Sequence, residues 1–240
     1  MTSTALNQQD DHRVTIGPRF CGPPTSGNGG YSCGLLGHAL GGCVEVTLLK
    51  PPPLEVVLRI ERDEEGAQLL HNETAIAKAR PAELDLAIPS PPGFEEAVAL
   101  SSKFAGFEAH AFPTCFVCGP ERDQGDGLCI FPGRASPEAP VAAAWTPGAS
   151  LCDDKGLVLP EIVWSALDCP GYFAIAEVGE TAVLGRMTAS INKRPRGGEP
   201  CVVLGWAIER DGRKLHAGTA LFGPGHALYA SAKQTWIKLI

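Results

Sequence analysis

"LPEIVWSALDCPGYFAIAE", residues 159–177, is the strongest helical stretch in this 240-residue chain. Pro160 suits a first helical turn, where its missing N–H costs nothing and its fixed φ is already helical. The residues after it are mostly apolar, so the helix is expected to be buried. One acid, Asp168, interrupts the run. A carboxylate in such a place needs hydrogen-bond partners or a raised pKa.

Toward the C-terminus follow "AVLGRMTASINK" (182–193), "PCVVLGWAIERD" (200–211), "RKLHAGTALFG" (213–223) and "HALYASAKQTWIKL" (226–239), all strand-like. Upstream, "PVAAAWTP" (140–147) leads into the helix through a loop. The first half repeats this order. "RVTI" (13–16) precedes a glycine-rich loop, "SGNGG" (26–30), and the apolar run "YSCGLLGHAL" (31–40). Then come "CVEVTLLK" (43–50), "LEVVLRIERD" (54–63) and "AQLLHNETAIAKA" (67–79), separated by three prolines and by "DEEG". The tetrapeptide IERD closes a strand twice, at Ile60–Asp63 and Ile208–Asp211, which supports a duplication. A helix followed by antiparallel strands, twice over, predicts an α+β protein in which each sheet curls around a central helix. The expected division is a flexible tail over 1–12, a first unit over 13–88, a linker over 89–113 and a second unit over 114–240. The linker carries the short helix "FEEAVALSSKF" between proline-rich segments.

Composition narrows the function classes. An apolar fraction of 44% with 20% charged residues is that of an ordinary globular protein. The net charge of −7 and the lack of a basic run argue against nucleic acid or an anionic membrane as partner. No apolar stretch approaches the roughly 20 residues that span a bilayer. The polar N-terminus lacks the pattern of a leader, so a cytoplasmic location is expected. The nine cysteines then read as free thiols. Cys115 and Cys118 form a CxxC pair, but there is no second pair and no histidine at finger spacing, so packed thiols and no metal are expected.

The segment "CFVCGPERDQGDGLCIF" (115–131) resembles the CFVCG…GL signature near the start of many hotdog-fold thioesterases. Such proteins open their central helix about 40 residues later, as Pro160 does here. The resemblance implies a tandem (double) hotdog, an acyl-CoA thioesterase-like activity that cleaves an acyl thioester to acid and thiol, and a homodimer. Coenzyme A would arrive as part of the substrate, with no separate cofactor. Members of the family commonly open the helix with His-Gly-Gly and place an acid seven positions after the last glycine. In the first half Asn28-Gly29-Gly30 stands at that place, and the seventh position on is Gly37. In the second half Leu159-Pro160-Glu161 stands there, and the seventh position on is Asp168. Each half keeps what the other has lost.

The resemblance therefore implies one composite site, with loop and acid from different halves. The Gly30 N–H would face the developing oxyanion, Asn28 would orient the substrate carbonyl or a water, and Asp168 would act as base or nucleophile. Gly29 and Tyr31 would lie against the substrate. Arg186 and the cluster Lys193, Arg194 and Arg196 are candidates for the coenzyme A phosphates. Leu35, Trp164 and Tyr172 would line an acyl tunnel. Plainer roles stay open at this point: Asn28 as a helix cap, Asp168 as the cap of a turn before Pro170, and the basic cluster as a solvated turn. A cavity that binds an acyl thioester without turnover is the alternative function. A hydratase or dehydratase is less supported, because no histidine stands near Asp168 in sequence.

Overall fold

The computed structural model describes residues 12–123 and 125–239. The expected tail over 1–12 lies outside these residues except for His12, which opens the first strand, β1 (His12–Thr15). Helix α1 (Gly29–Leu40) follows, then β2 (Val44–Leu48), β3 (Val57–Arg62), β4 (Ala67–His71) and β5 (Thr74–Pro81). A short helix, α2 (Phe94–Ser101), precedes β6 (Gly133–Arg134) and β7 (Val141–Trp145). Two helical segments, α3 (Pro160–Ala166) and α4 (Asp168–Ile175), lead to β8 (Ala182–Ile191), β9 (Cys201–Asp211), β10 (Lys214–Phe222) and β11 (Leu228–Lys238).

All eleven strands form one sheet in the order β1-β3-β4-β5-β2-β8-β11-β10-β9-β7-β6. The first five read outside-in as β1-β3-β4-β5-β2. From the other side, inside β6, the order β7-β9-β10-β11-β8 runs the same way. IERD ends β3 and β9, which hold equivalent places in the two series. The halves join where β2 pairs antiparallel with β8, Val46 opposite Met187 and Thr47 opposite Arg186. Strand alternation explains the local pattern: Val44 and Val46 are fully buried, while Glu45 and Thr47, which alternate with them, are half-buried. The β4–β5 hairpin turns through Asn72 at φ 52°, a left-handed conformation that asparagine tolerates.

Helices α1 and α3 pack against each other inside the curved sheet, and one face of α1 is bare. A Cβ on Gly34 would sit 2.6 Å from Glu161 Cα, and one on Gly37 would sit 2.5 Å from the Trp164 ring. A Cβ on Gly30 would lie 2.6 Å from Asp168 Cβ. Residues 30, 34 and 37 share a helical face, so their glycines form a groove that Trp164 and Asp168 fill. Leu36 and Cys33, off that face, are fully buried in the core shared by both halves.

The single long helix expected over 159–177 is in fact divided. Leu167 leaves ideal helical geometry at ψ −11°, and Pro170 has no N–H to give the Ala166 carbonyl. Buried Gln234 on β11 crosses to the break: its Nε2 donates to the Leu167 and Asp168 carbonyls at 2.5 and 3.1 Å, and its Oε1 accepts from Trp236 Nε1 at 2.8 Å. The division places Asp168 at the start of α4, facing α1.

The linker is not a free tether. Ala97 and Leu100 of α2 are buried against Ala142, Val202, Leu204 and Phe222 on the outer face of β7, β9 and β10. The segment after it crosses back to the first half. Phe116 N–H donates to the Cys21 carbonyl at 2.8 Å, and the Phe116 ring packs edge-on to Phe20. Arg122 fastens the crossing, donating to Thr114 O at 2.7 Å and Arg19 O at 2.9 Å.

Candidate functional site

A cavity of about 390 Å³ opens at the N-terminal end of α1, a volume that suits a small-molecule pocket. One wall is the loop from Gly22 to Gly29. Another carries His110, Cys115, Cys118, Asp168, Cys169 and Tyr172, and Leu48, Leu184 and Trp236 complete the apolar lining.

Asn28 begins the construction. It is the N-cap of α1, and its Oδ1 accepts the Tyr31 N–H at 2.9 Å, so the capping role is real. The same amide has a second half. Its Nδ2 donates to Asp168 Oδ2 at 2.7 Å. The Gly30 N–H donates to that same oxygen at 3.0 Å. Asn28 and Asp168 are each only 2% exposed, and Asp168 Oδ1 has no hydrogen-bond partner among the described residues. Burial pushes the Asp168 carboxyl up to about 7, against the opposing pull of the Gly30 N–H. The nearby Cys115 raises it further and the Asn28 amide lowers it.

Asn28 of the loop and Asp168, 140 residues apart in sequence, are thus in contact, where the resemblance implies a composite site. One detail differs. The Gly30 N–H points at Asp168 and not into open space, because α1 and α4 approach so closely there. Gly29, the first residue of α1, lines the cavity instead, and a Cβ on it would press within 2.8 Å of Leu184 Cβ. Tyr31 turns away from the cavity and stacks on Phe20 with ring centroids 4.2 Å apart. Tyr172 lines the cavity; Trp164 sits between α1 and α3.

The basic candidates stand elsewhere. Arg186 donates to Thr47 Oγ1 at 3.0 Å and lies 3.9 Å from Glu45. Lys193 donates to the Tyr229 hydroxyl at 2.8 Å, and Arg194 pairs with Asp153 at 2.9 Å. Arg196 has its N–H on Glu199 at 2.7 Å. None of the four lines the main cavity. Their strand and turn positions carry them to other parts of the sheet.

Lys193 and Arg194 instead border a second depression with Gly37, His38, Pro160 and Trp164. It lies at the start of α3. Pro160 occupies the loop position there, Gly37 occupies the acid position, and the Trp164 ring covers Gly37.

Sequence reading missed two contributors. The Sγ atoms of Cys115, Cys118 and Cys169 all lie within 4.8 Å of one another, and His110 Nε2 is 3.2 Å from Cys118 Sγ. Cys169 comes from α4, so only the fold unites it with the CxxC pair. His110 stands five residues before Cys115, a proximity the sequence does display.

No family model matches the chain, and no curated protein does. Solved structures do match over its whole length. A tesB protein from Mycobacterium avium subsp. paratuberculosis is 15% identical, with a TM-score of 0.65, over 99% of this chain and 96% of its own. A conserved protein of unknown function with a hot dog fold, from Alicyclobacillus acidocaldarius, is 8% identical, with a TM-score of 0.57, over 98% and 95%. This chain has a hot dog fold. A Thermobifida fusca protein described as a candidate thioesterase II shares it at 14% identity and a TM-score of 0.64, over 98% and 94%. Identities this low establish the hot dog architecture and not the activity.

Proposed function

We propose that the protein hydrolyses an acyl thioester, acyl-CoA foremost, at the composite site between its halves. The halves are read as tandem hot dog repeats, on their matching strand order and the paired IERD segments. One observation carries the proposal: the carboxylate of Asp168 reaches the N-terminal end of α1 and is held there by Asn28 and Gly30. Asp168 is the base that takes a proton from the attacking water, or attacks directly through Oδ1, the oxygen left without a partner. The N–H of Gly29, at the first position of α1, has no intrahelical acceptor and stands at the positive end of the helix dipole. It suits the thioester carbonyl as charge develops. Lys50, exposed at the mouth of the cavity, is the lining cation available to a phosphate.

The test is a panel of acyl-CoAs from short to long chain, with thiol release followed. Wild-type protein is expected to turn over at least one, and Asp168→Asn to lose on the order of 10²–10⁴ in rate. A wild type inert across the panel would end the hydrolase reading. Full activity in Asp168→Asn would reject Asp168 as the acid.

A second reading, binding without turnover, is favoured by one feature. The Gly30 N–H and the Asn28 Nδ2 both serve Asp168 Oδ2, which leaves fewer donors for a substrate oxygen. Calorimetric binding of an acyl-CoA that is never hydrolysed would select this reading.

A further inference from the structure

Three sulfurs meet beside the cavity. Cys115 and Cys169 place theirs 3.7 Å apart, and Cys118 completes a triangle with every edge within 4.8 Å. Zinc–thiolate bonds of about 2.3 Å in a tetrahedron require sulfurs roughly 3.8 Å apart. The triangle is thus close to the size of one tetrahedral face. All three cysteines are at most 6% exposed.

The CxxC pair is also folded as a ligand loop. The N–H of Gly119 returns to the Cys115 carbonyl at 2.9 Å, closing a tight turn. A Cβ on Gly119 would lie 2.6 Å from Cys115 O, so the turn depends on glycine. The Asn28 Nδ2 lies 3.9 Å from the Cys115 sulfur and can donate to it.

His110 supports the cluster from outside. Its Nδ1 accepts the Phe112 N–H at 3.0 Å, which assigns the proton of the neutral ring to Nε2. That proton faces Cys118 Sγ at 3.2 Å. His110 therefore donates to a sulfur and does not offer a lone pair to a metal. Outer-shell donors of this kind orient ligands and tune their basicity.

We propose that Cys115, Cys118 and Cys169 bind one thiophilic divalent cation, zinc by preference, with the fourth coordination position open to the cavity. Soft sulfur ligands in tetrahedral disposition select zinc over the hard alkaline-earth ions. The three cysteines and His110 all line the cavity. The open position is therefore within reach of whatever the cavity admits. The site comes from two distant parts of the chain, with Cys169 54 residues beyond Cys115. Its occupancy would tie the crossing segment to α4. The proposal is independent of thioester hydrolysis, since binding is measured without an acyl substrate and either can fail alone.

The experiment is a Co²⁺ titration of the full chain, made metal-free and kept reduced and anaerobic. A thiolate-to-cobalt charge-transfer band is expected to saturate at one equivalent and to be erased by one equivalent of Zn²⁺. Cys169→Ser is expected to weaken binding by more than about a hundredfold, beyond the 10–100-fold that an outer-shell partner contributes. Cys201→Ser, a buried cysteine outside the cluster, should leave the band intact. His110→Ala should retain the band with affinity reduced about 10–100-fold. Absence of the band in wild-type protein overturns the proposal without recourse to any variant. An unchanged band in Cys169→Ser overturns it as well. Loss of the band in a folded His110→Ala would make His110 a ligand and overturn the open position.

Discussion

Asp168 Oδ2 accepts the Asn28 amide at 2.7 Å across 140 residues of chain, in a setting where both side chains are almost fully buried. This bond makes one asparagine serve two ends. Its oxygen caps α1 through Tyr31 N–H, and its nitrogen locks the acid of α4 against that helix.

Replacing Asn28 by alanine removes the cap and leaves a buried carboxylate short of a donor. A cap is worth about 1 kcal/mol, and a hydrogen bond to a charged group about 1.5–3 kcal/mol, with the Gly30 N–H still left on Asp168. Urea unfolding should therefore show Asn28→Ala less stable by roughly 2–4 kcal/mol. A loss no larger than an ordinary cap would mean that the Asp168 bond contributes nothing.

Gly34 on α1 and Gly93 before α2 make an opposite pair of expectations. Alanine in place of glycine normally favours a helix by about 1 kcal/mol. At Gly34 the new methyl would meet Glu161 Cα at 2.6 Å, which is backbone and cannot rotate aside. Overpacking of this kind costs about 1–3 kcal/mol, so Gly34→Ala should lower the melting temperature. Gly93, whose Cβ position is open, should accept alanine within about 0.5 kcal/mol.

Gln234 satisfies two carbonyls at the α3–α4 break and the Trp236 indole at once. Gln234→Leu keeps the volume and removes all three partners. With each buried orphan costing about 1–3 kcal/mol, a loss of several kcal/mol in chemical denaturation is expected. A near-neutral result would show that the break does not depend on this side chain.

Glu180 governs an acid-side effect. Arg210 and Lys238, each 2.7 Å away, hold its carboxyl at about 2 against an ordinary 4.5. A depressed folded-state pKa contributes stability that is fully present above the unfolded value and disappears as pH falls through the folded one. Stability should therefore fall between about pH 4.5 and 2, and Glu180→Gln should flatten that part of the curve. Thermal melts across this range would test it; equal slopes would remove Glu180 as the cause.

Much of this arrangement was legible in the residues. Local chain chemistry carries the strand alternation of β2, the helix start at Pro160 and the turns after IERD, because each depends on neighbours a few positions away. The contact between the loop and Asp168 was foreshadowed by complementary departures from the family pattern: glycines without an acid in one half, an acid without glycines in the other. The basic residues misled because density of charge in sequence says nothing about which face of a sheet presents it. Arg186, Lys193 and Arg194 found partners on other surfaces.

The sequence by itself determined the elements and their order, and it singled out Asn28 and Asp168, the two residues that meet beside the cavity. The packing of α1 against α3 and α4 decided the rest. It directed the Gly30 N–H to the carboxylate, laid the Trp164 ring over Gly37, and carried Cys169 to Cys115 and Cys118. These are distances between side chains on separate elements, and they exist only once burial of the shared core has fixed how those elements cross.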